Sequence, residues 1–277
     1  MVSDPKLIDT APPAAEPASS FLAGLIKRQL RAVQDYSVLS GQAIKRVFKP
    51  PHYIVDTLEQ MDIIGVGSLP IVLLTGFFIG AVMVLQTAAQ FVRFGETALT
   101  GDVVSLALVR ELGPAITGLL VAGRNASGIA SELGSMQVTE QVDAMRAMGT
   151  DPIRKLVTPR VVAAMLVLPL LTAMSDFVGL VGGSVVSRFT LRIGTVEFWT
   201  RAINALEFAD LMQGMAKPVV FAFILATVGC YQGLTVTGGT QGVGRATTQA
   251  VVVSSVIILT SDVFLTKLAL FLGGRVF

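Results

Sequence analysis

Charged side chains stand inside stretches of this sequence that are otherwise apolar. The residues in question are Arg110, Glu111, Asp176, Lys217 and Asp262. An ionisable group inside a membrane helix costs about 2.5–3.5 kcal/mol or more, and it usually faces a cavity or a charged partner. The Gly113-Pro114 pair follows directly after Arg110 and Glu111 and predicts a break in that helix. Broken membrane helices are typical of segments that line a cavity.

Three of these groups form the predicted binding site. We expect Arg110, Glu111 and Lys217 to face a polar or amphiphilic substrate. The alternative is a structural salt bridge that only pins helices together. Lys217 precedes Pro218 near the start of its apolar stretch, so it could also reach the membrane surface through its long side chain. Asp176 and Asp262 have either a structural or a functional role.

The composition indicates that lipid is the main solvent of the chain. Of 277 residues, 52% are hydrophobic and 14% are charged, and the mean hydropathy is +0.70. Soluble domains carry about 25% charged residues. The formal net charge of +2 argues against a nucleic-acid partner. A single cysteine (Cys230) and a single histidine (His52) exclude a disulfide framework and a Cys/His metal cluster.

Five apolar stretches are long enough to cross a membrane as helices. They lie at about 66–92, 103–123, 157–187, 212–236 and 248–272, and Pro169 gives the third a place to kink. Most Lys and Arg residues precede the first span or separate spans two and three, which predicts a cytoplasmic N-terminus and a C-terminus on the outer side of the membrane. The fold class is therefore an all-α integral membrane protein.

The N-terminal fifty residues have a different character. Residues 1–20 are rich in Ala, Pro and Ser and predict a disordered tail. Residues 21–50 alternate apolar and basic positions at helical spacing, which predicts an amphipathic helix lying in the membrane interface. A helix packed on a soluble partner remains the alternative. Residues 51–277 form the membrane domain proper.

The segment between spans two and three predicts a short helix of its own. Thr139 is placed as its N-cap, Gly149 follows its end, and the helix covers Glu140 to Met148. Its features of interest are two acidic residues in the first turn and three apolar residues on one face. These are Glu140, Asp143, Val142, Met145 and Met148. The apolar face either packs on the protein's own membrane domain or inserts into a groove on a soluble partner.

The glycine-rich string from Gly238 to Thr248 is similar to a phosphate-binding loop but lacks its essential residues. Arg245 and Ala246 stand where a Walker A motif has Lys and Ser or Thr. We therefore interpret the string as a tight turn between spans four and five. If ATP and magnesium are used, another chain binds them, and this chain has no cofactor of its own.

Several motifs in order resemble the MlaE/YrbE family of ABC-transporter permeases. They are the run RELGPAITGLLVAGRNASGIASELGSMQVTEQVDAMRAMGTDP (110–152), LVTPR (156–160), the KPVVF segment with Lys217, and GGTQGVGRATTQAVV (238–252). PIVLLTGFFIGAVMVLQ (70–86) matches as well, and the resemblance covers about residues 60–275.

The resemblance implies a function and a set of partners. It implies a homodimer in the bacterial inner membrane that moves phospholipids or other bulky hydrophobic lipids between that membrane and the outer envelope. Implied partners are a cytoplasmic ABC ATPase, an MCE-domain lipid-binding protein and, in some systems, a STAS-domain subunit. It also implies that Arg110, Glu111 and Lys217 contact the lipid headgroup. The helix with Glu140, Val142, Asp143, Met145 and Met148 would be the coupling helix that docks on the ATPase.

Two other functions remain open from the residues alone. Broken helices and buried charges are also typical of ion-coupled secondary transporters. A structural membrane scaffold would need only the docking helix.

Overall fold

A computed structural model describes residues 18–47, 50, 53–96 and 99–272, and it is helical almost throughout. The helices are α1 (Ala18–Val47), α2 (Ile54–Phe91), α3 (Thr100–Ala107), α4 (Gly113–Val121), α5 (Ser127–Val138), α6 (Gln141–Ala147), α7 (Thr158–Val186), α8 (Thr195–Asn204), α9 (Phe208–Leu234) and α10 (Gly239–Leu272). Most of the predicted tail lies outside the described residues, but residues 18–20 begin α1.

Five runs of helix in the described residues are long and apolar enough to cross a membrane, which confirms the predicted fold class. They are Ile54–Phe91, Thr100–Val138, Ile153–Leu191, Phe208–Leu234 and Gly239–Phe271. Each run overlaps almost all of one predicted span, and all five begin before it. Hydropathy marks only the stretch that prefers lipid, whereas a helix can continue into water with polar side chains.

The second span is not broken at Gly113-Pro114, so that prediction was wrong. A π turn, Leu108–Leu112, joins α3 to α4, and the N–H of Gly113 donates to the carbonyl of Leu108 five residues earlier. Pro114 lies in the first turn of α4, where a proline needs no partner for a missing N–H. The wider turn thus lets the helix pass the proline instead of ending there.

Two further predictions about helix ends need correction. Span two continues through a second π turn, Ala122–Ala126, into α5, so residues 123–138 are helical and not a loop. The glycine-rich string after Gly238 forms the first turns of α10 rather than a turn between spans. Of its glycines, Gly238 and Gly239 have positive φ, and they mark where α10 begins. Helix α7 runs through Pro169 without interruption.

Glycines spaced four residues apart, such as Gly76 and Gly80, are typical of close helix contacts in lipid, and small residues do bring the spans together here. A Cβ on Gly80 of α2 would lie 1.8 Å from the carbonyl oxygen of Gly179 on α7. On the other side of the domain, a Cβ on Gly229 of α9 would lie 3.0 Å from the carbonyl oxygen of Ala126. Since no side chain fits at Gly80, the backbones of α2 and α7 touch there.

Helix α8 is an element that the sequence reasoning missed. It connects spans three and four, buries Phe198 and Ala202, and exposes Val196 and Ile203. Its buried face joins a core cluster between α2, α3 and α7 that includes Val84, Val104, Leu108 and Leu180. The signal was present, since apolar residues recur at helical spacing from Val196 to Ile203.

The chain separates into two compact units, residues 1–38 and residues 39–277. In the first unit, α1 exposes Leu30 and Val33. The second unit holds the end of α1 and all five spans. Within it, α2 packs most extensively against α7, and α9 lies between α5, α7 and α10.

Candidate functional site

The irregular turn in span two creates the centre of the candidate site. In a regular α-helix the N–H of residue 114 would bond to the carbonyl of Arg110, but Pro114 has no N–H. The Nζ atom of Lys217 on α9 takes that place and donates to the Arg110 carbonyl oxygen at 2.9 Å. A side chain from another span therefore satisfies the backbone group that the proline leaves free.

Lys217 has further partners on two different spans. Its Nζ atom also donates to Glu111 Oε2 at 2.5 Å and to Thr266 Oγ1 of α10 at 2.8 Å. The Thr266 hydroxyl in turn donates to Glu111 Oε2 at 3.0 Å. Asp262 Oδ1, one turn earlier on α10, lies 3.1 Å from the lysine nitrogen. Because an ammonium has only three N–H donors, Asp262 contributes charge rather than a hydrogen bond.

The members of this cluster differ in how far they are exposed. The Lys217 side chain is 2% exposed and Asp262 18%, whereas Glu111 is 38% exposed. Lys217 thus does not reach the membrane surface, contrary to one of the alternatives considered. Glu111 offers the larger accessible polar surface, and it also accepts a hydrogen bond from Gln213 Nε2 at 3.3 Å.

Arg110 belongs to a neighbouring pair rather than to the lysine cluster itself. Its Nε atom lies 3.6 Å from Asp210 Oδ1 at the start of α9. Asp210 and Glu207 form a capping box at this helix end, which fixes the carboxylate in place. The Arg110 side chain is 21% exposed. The structure therefore brings all three predicted residues together with Asp262, which the sequence marks as a charge in an apolar stretch, and adds Asp210 and Thr266, which no local sequence pattern indicated.

Asp176 lies apart from this cluster, on α7. Its side chain is buried, and its Oδ1 atom has no hydrogen-bond partner among the described residues. That atom occupies the space beside Gly113, where a Cβ would lie 1.7 Å away. Asp176 thus contacts span two directly after the π turn that carries Arg110 and Glu111.

The short helix between spans two and three is present but differs from its prediction. It covers Gln141–Ala147, and Glu140 occupies its N-cap in the left-handed conformation with φ 59°. Thr139 is not the cap, because its hydroxyl donates back to the carbonyl of Ser135 in α5. Glu140 is the point where the chain turns from α5 into α6. Gly149 has a positive φ of 77°, as expected of the residue that follows the helix end.

The apolar face of α6 is divided between two environments. Val142 is fully buried against the protein itself, Met145 is half-buried, and Met148 is 75% exposed. Glu140 and Asp143 are exposed, and Asp143 pairs with Arg146 at 2.7 Å. The protein's own membrane domain thus covers Val142 and part of Met145, and docking of Met148 on a soluble partner stays a prediction.

The comparisons with known proteins agree with this architecture. The model of the MlaE permease family matches residues 57–268, which include spans two to four and nearly all of spans one and five. The chain belongs to the MlaE permease family. It is 43% identical over 238 residues to a probable ABC transporter permease protein of Rickettsia typhi, covering 86% of this chain and 92% of that protein.

Two relatives carry names that refer to lipids. The chain is 35% identical over 212 residues to the intermembrane phospholipid transport system permease protein MlaE of Haemophilus influenzae, covering 76% of this chain and 81% of that one. It is 41% identical over 230 residues to the chloroplastic protein trigalactosyldiacylglycerol 1 of Arabidopsis thaliana, covering 83% of this chain and 66% of that one. As an MlaE-family permease, the chain is a multi-pass membrane protein with a transport role rather than an enzyme.

Proposed function

We propose that this MlaE-family permease is the membrane subunit of an ATP-driven transporter that moves phospholipids or similar lipids between the inner membrane and the outer envelope. The observation that carries the proposal is the charged cluster around Lys217, which lies within otherwise apolar spans and leaves Glu111 accessible. The names of the Haemophilus and Arabidopsis relatives support lipid as the substrate class.

The cluster suits the headgroup of an amphiphile because it offers both signs of charge. Arg110 can pair with a phosphate and Glu111 with an ammonium, and both are partly exposed. Lys217 would bind the phosphate of the headgroup once that phosphate displaces Glu111 from the lysine. The acyl chains would then lie against the apolar faces of the spans.

ATP hydrolysis would take place on a separate ABC ATPase, which binds the ATP and magnesium. Met148 and Met145 of α6 would dock on that ATPase, with Glu140 and Asp143 at the edge of the contact, while Val142 holds α6 on the membrane domain. Closure of the ATPase pair would push on α6 and, through the continuous helix of span two, on the turn with Arg110 and Glu111.

Family membership supports the proposal of further partners. We propose a homodimer in the bacterial inner membrane, with the N-terminus cytoplasmic and the C-terminus periplasmic. Helix α10 supports a second copy as its neighbour, since it is the least covered span and exposes Val256, Leu259 and Val263. An MCE-domain lipid-binding protein would receive or deliver the lipid outside, and a STAS-domain subunit could accompany the ATPase.

The test is lipid transfer by the reconstituted transporter. We expect Glu111→Gln to reduce ATP-dependent transfer of a fluorescent phospholipid about tenfold, because a charge-assisted hydrogen bond contributes about 1.5–3 kcal/mol. The ATPase should still co-purify. The control is Glu59→Gln, an exposed glutamate on α2 outside the cluster, which should transfer lipid normally.

Two outcomes would contradict the proposal. Unchanged transfer by Glu111→Gln would remove the headgroup role, and transfer that persists without ATP but follows an ion gradient would favour a secondary transporter. A protein that assembles with partners yet moves no lipid would be a scaffold.

A further inference from the structure

A cavity lined by both apolar side chains and arginines lies near the α6 end of the membrane domain. It has a volume of about 300 Å³ and lies between the end of α1, the start of α2 and the start of span three. Its walls are mostly apolar, with Leu58, Met61 and Val162 among them, and two arginines, Arg46 and Arg154, line it as well.

Both arginines have hydrogen-bond donors that nothing in the described residues satisfies. Arg46 pairs through Nη2 with Asp151 at 2.9 Å, but its Nη1 atom is buried without an acceptor. The Nε atom of Arg154 is likewise buried without an acceptor, and Arg154 has no ion pair in the described part of the chain. Buried donors without partners are rare and costly, and they commonly indicate a missing anion or water.

The nearby carboxylates cannot neutralise this surplus of donors. Asp151 is paired with Arg46. Asp56 is paired with Lys155, whose Nζ atom also lies 4.5 Å over the ring of Tyr53. Among the charged residues described in this region, the cations Arg46, Arg154 and Lys155 therefore outnumber the carboxylates Asp56 and Asp151, and Arg154 is the cation without an ion pair. The cavity is electrostatically prepared for one negative charge.

An apolar groove continues from the cavity along α7 and α9. It has a volume of about 460 Å³, shares Val47, Val162 and Leu166 with the cavity, and has Phe223 of α9 on its far wall. All of its lining residues are apolar. The arginine-lined cavity suits the anionic headgroup of an amphiphile, and the apolar groove that continues from it suits the hydrocarbon chains.

We propose that this cavity and groove bind one anionic phospholipid, with its phosphate between Arg46 and Arg154 and an acyl chain in the groove. The site is separate from the Lys217 cluster. Leu166 precedes Asp176, the α7 residue beside the π turn, by ten residues, which is about 15 Å along a helix. Because Asp151 follows α6 closely and holds Arg46, the bound lipid would fix the end of α1 and the base of α6 to each other.

The test is lipid retention by the purified permease without its ATPase, measured by native mass spectrometry. Dioleoyl phosphatidylglycerol should be retained, and dioleoyl phosphatidylcholine should be retained at least about tenfold less. Arg154→Gln should weaken phosphatidylglycerol retention about tenfold, and Arg154→Lys should weaken it less. The matched control is Arg188→Gln, which removes an exposed arginine from the π turn at the opposite end of the same span.

A variant in the groove separates a lipid from a small anion. Val162→Phe should reduce phosphatidylglycerol retention by filling the groove, while both arginines stay in place. Glycerol phosphate in excess should not displace the lipid. Displacement by glycerol phosphate at similar concentration would show a site for small anions instead.

The proposal is overturned if Arg154→Gln retains phosphatidylglycerol like the parent chain, or if both lipids are retained equally. If Arg154→Gln fails to fold, as judged by its elution and thermal unfolding in detergent, Val162→Phe and Arg154→Lys decide the question. The assay contains no ATP and measures no transport, so its outcome is independent of the transport function proposed above.

Discussion

At the scale of single residues, Lys217 is the group on which the candidate site depends. Its three donors are used by the Arg110 carbonyl, Glu111 and Thr266, and Asp262 adds a second carboxylate. The reason for this arrangement begins with Pro114, which leaves the carbonyl without its helical partner. One lysine therefore joins spans two, four and five.

Lys217→Met should lower the free energy of unfolding by about 1–3 kcal/mol, because it leaves the Arg110 carbonyl without its donor and the partly exposed Glu111 and Asp262 without their cation. The double variant Glu111→Gln with Lys217→Met should recover part of this loss, since the unpaired charge at 111 is then removed. Thermal unfolding in one detergent measures both. Lys267→Met, at an exposed lysine on α10, is the control. If the effects of Glu111→Gln and Lys217→Met on the free energy of unfolding simply add, the two side chains are not coupled.

At the scale of elements, the contact between α2 and α7 is the most extensive among the described helices. It depends on residues without side chains, because the Gly179 carbonyl oxygen occupies the space where Gly80 would carry a Cβ. In lipid the hydrophobic effect does not hold helices together, so the van der Waals contacts that such close approach allows take its place. The sequence predicts the approach through its glycine spacing, but it does not predict which helix is the partner.

Gly80→Ala should lower the free energy of unfolding by about 3 kcal/mol, which is the upper end of the usual cost of overpacking. The reason is that the added methyl group meets backbone that cannot move independently. Gly128→Ala is the matched control, because that helical glycine has nothing within 4 Å of its Cβ position and alanine favours helix. Melting temperatures of the two variants compare them directly. Equal stability of the two variants would show that α2 and α7 are further apart.

Helix α6 is the element through which the ATPase would act. Because Val142 holds it on the domain and Met148 projects away, Met148→Asp should abolish co-purification of the ATPase without affecting the fold. The control is Val196→Asp, an equally exposed apolar position on α8, which should keep the ATPase. Retention of the ATPase by Met148→Asp would exclude this residue from the docking surface.

At the scale of the whole molecule, the five spans place α6 and α8 on opposite sides of the membrane. The chain crosses once between them, along span three from Ile153 to Leu191. We expect α6 to be cytoplasmic, because the segments on its side carry most of the Lys and Arg residues.

Cysteine labelling tests this orientation with little background, since the single native cysteine, Cys230, is buried. In intact spheroplasts, a membrane-impermeant maleimide should label Val196→Cys but not Met148→Cys. Met148→Cys should react only after permeabilisation. The reverse pattern would invert the proposed topology, and labelling of the parent chain would show that Cys230 is accessible.

The sequence by itself determines the class of this protein and the approximate position of its spans. Hydropathy does so because lipid selects for long apolar helices whatever their neighbours are. It also indicates the residues in costly positions, since Arg110, Glu111 and Lys217 are charged where charge is rare. Gly149 follows the short helix as expected, because its positive φ is a local requirement.

Only the tertiary structure decides what those residues touch. Asp262 and Thr266 follow Lys217 by more than forty residues, and no local periodicity relates positions that meet only when helices pack. The helix continues past Pro114 because a π turn and a lysine from another span satisfy its backbone, and the sequence pattern alone predicted a break there. The charged residues are thus visible in the sequence, whereas the packing of α4, α9 and α10 makes them a site.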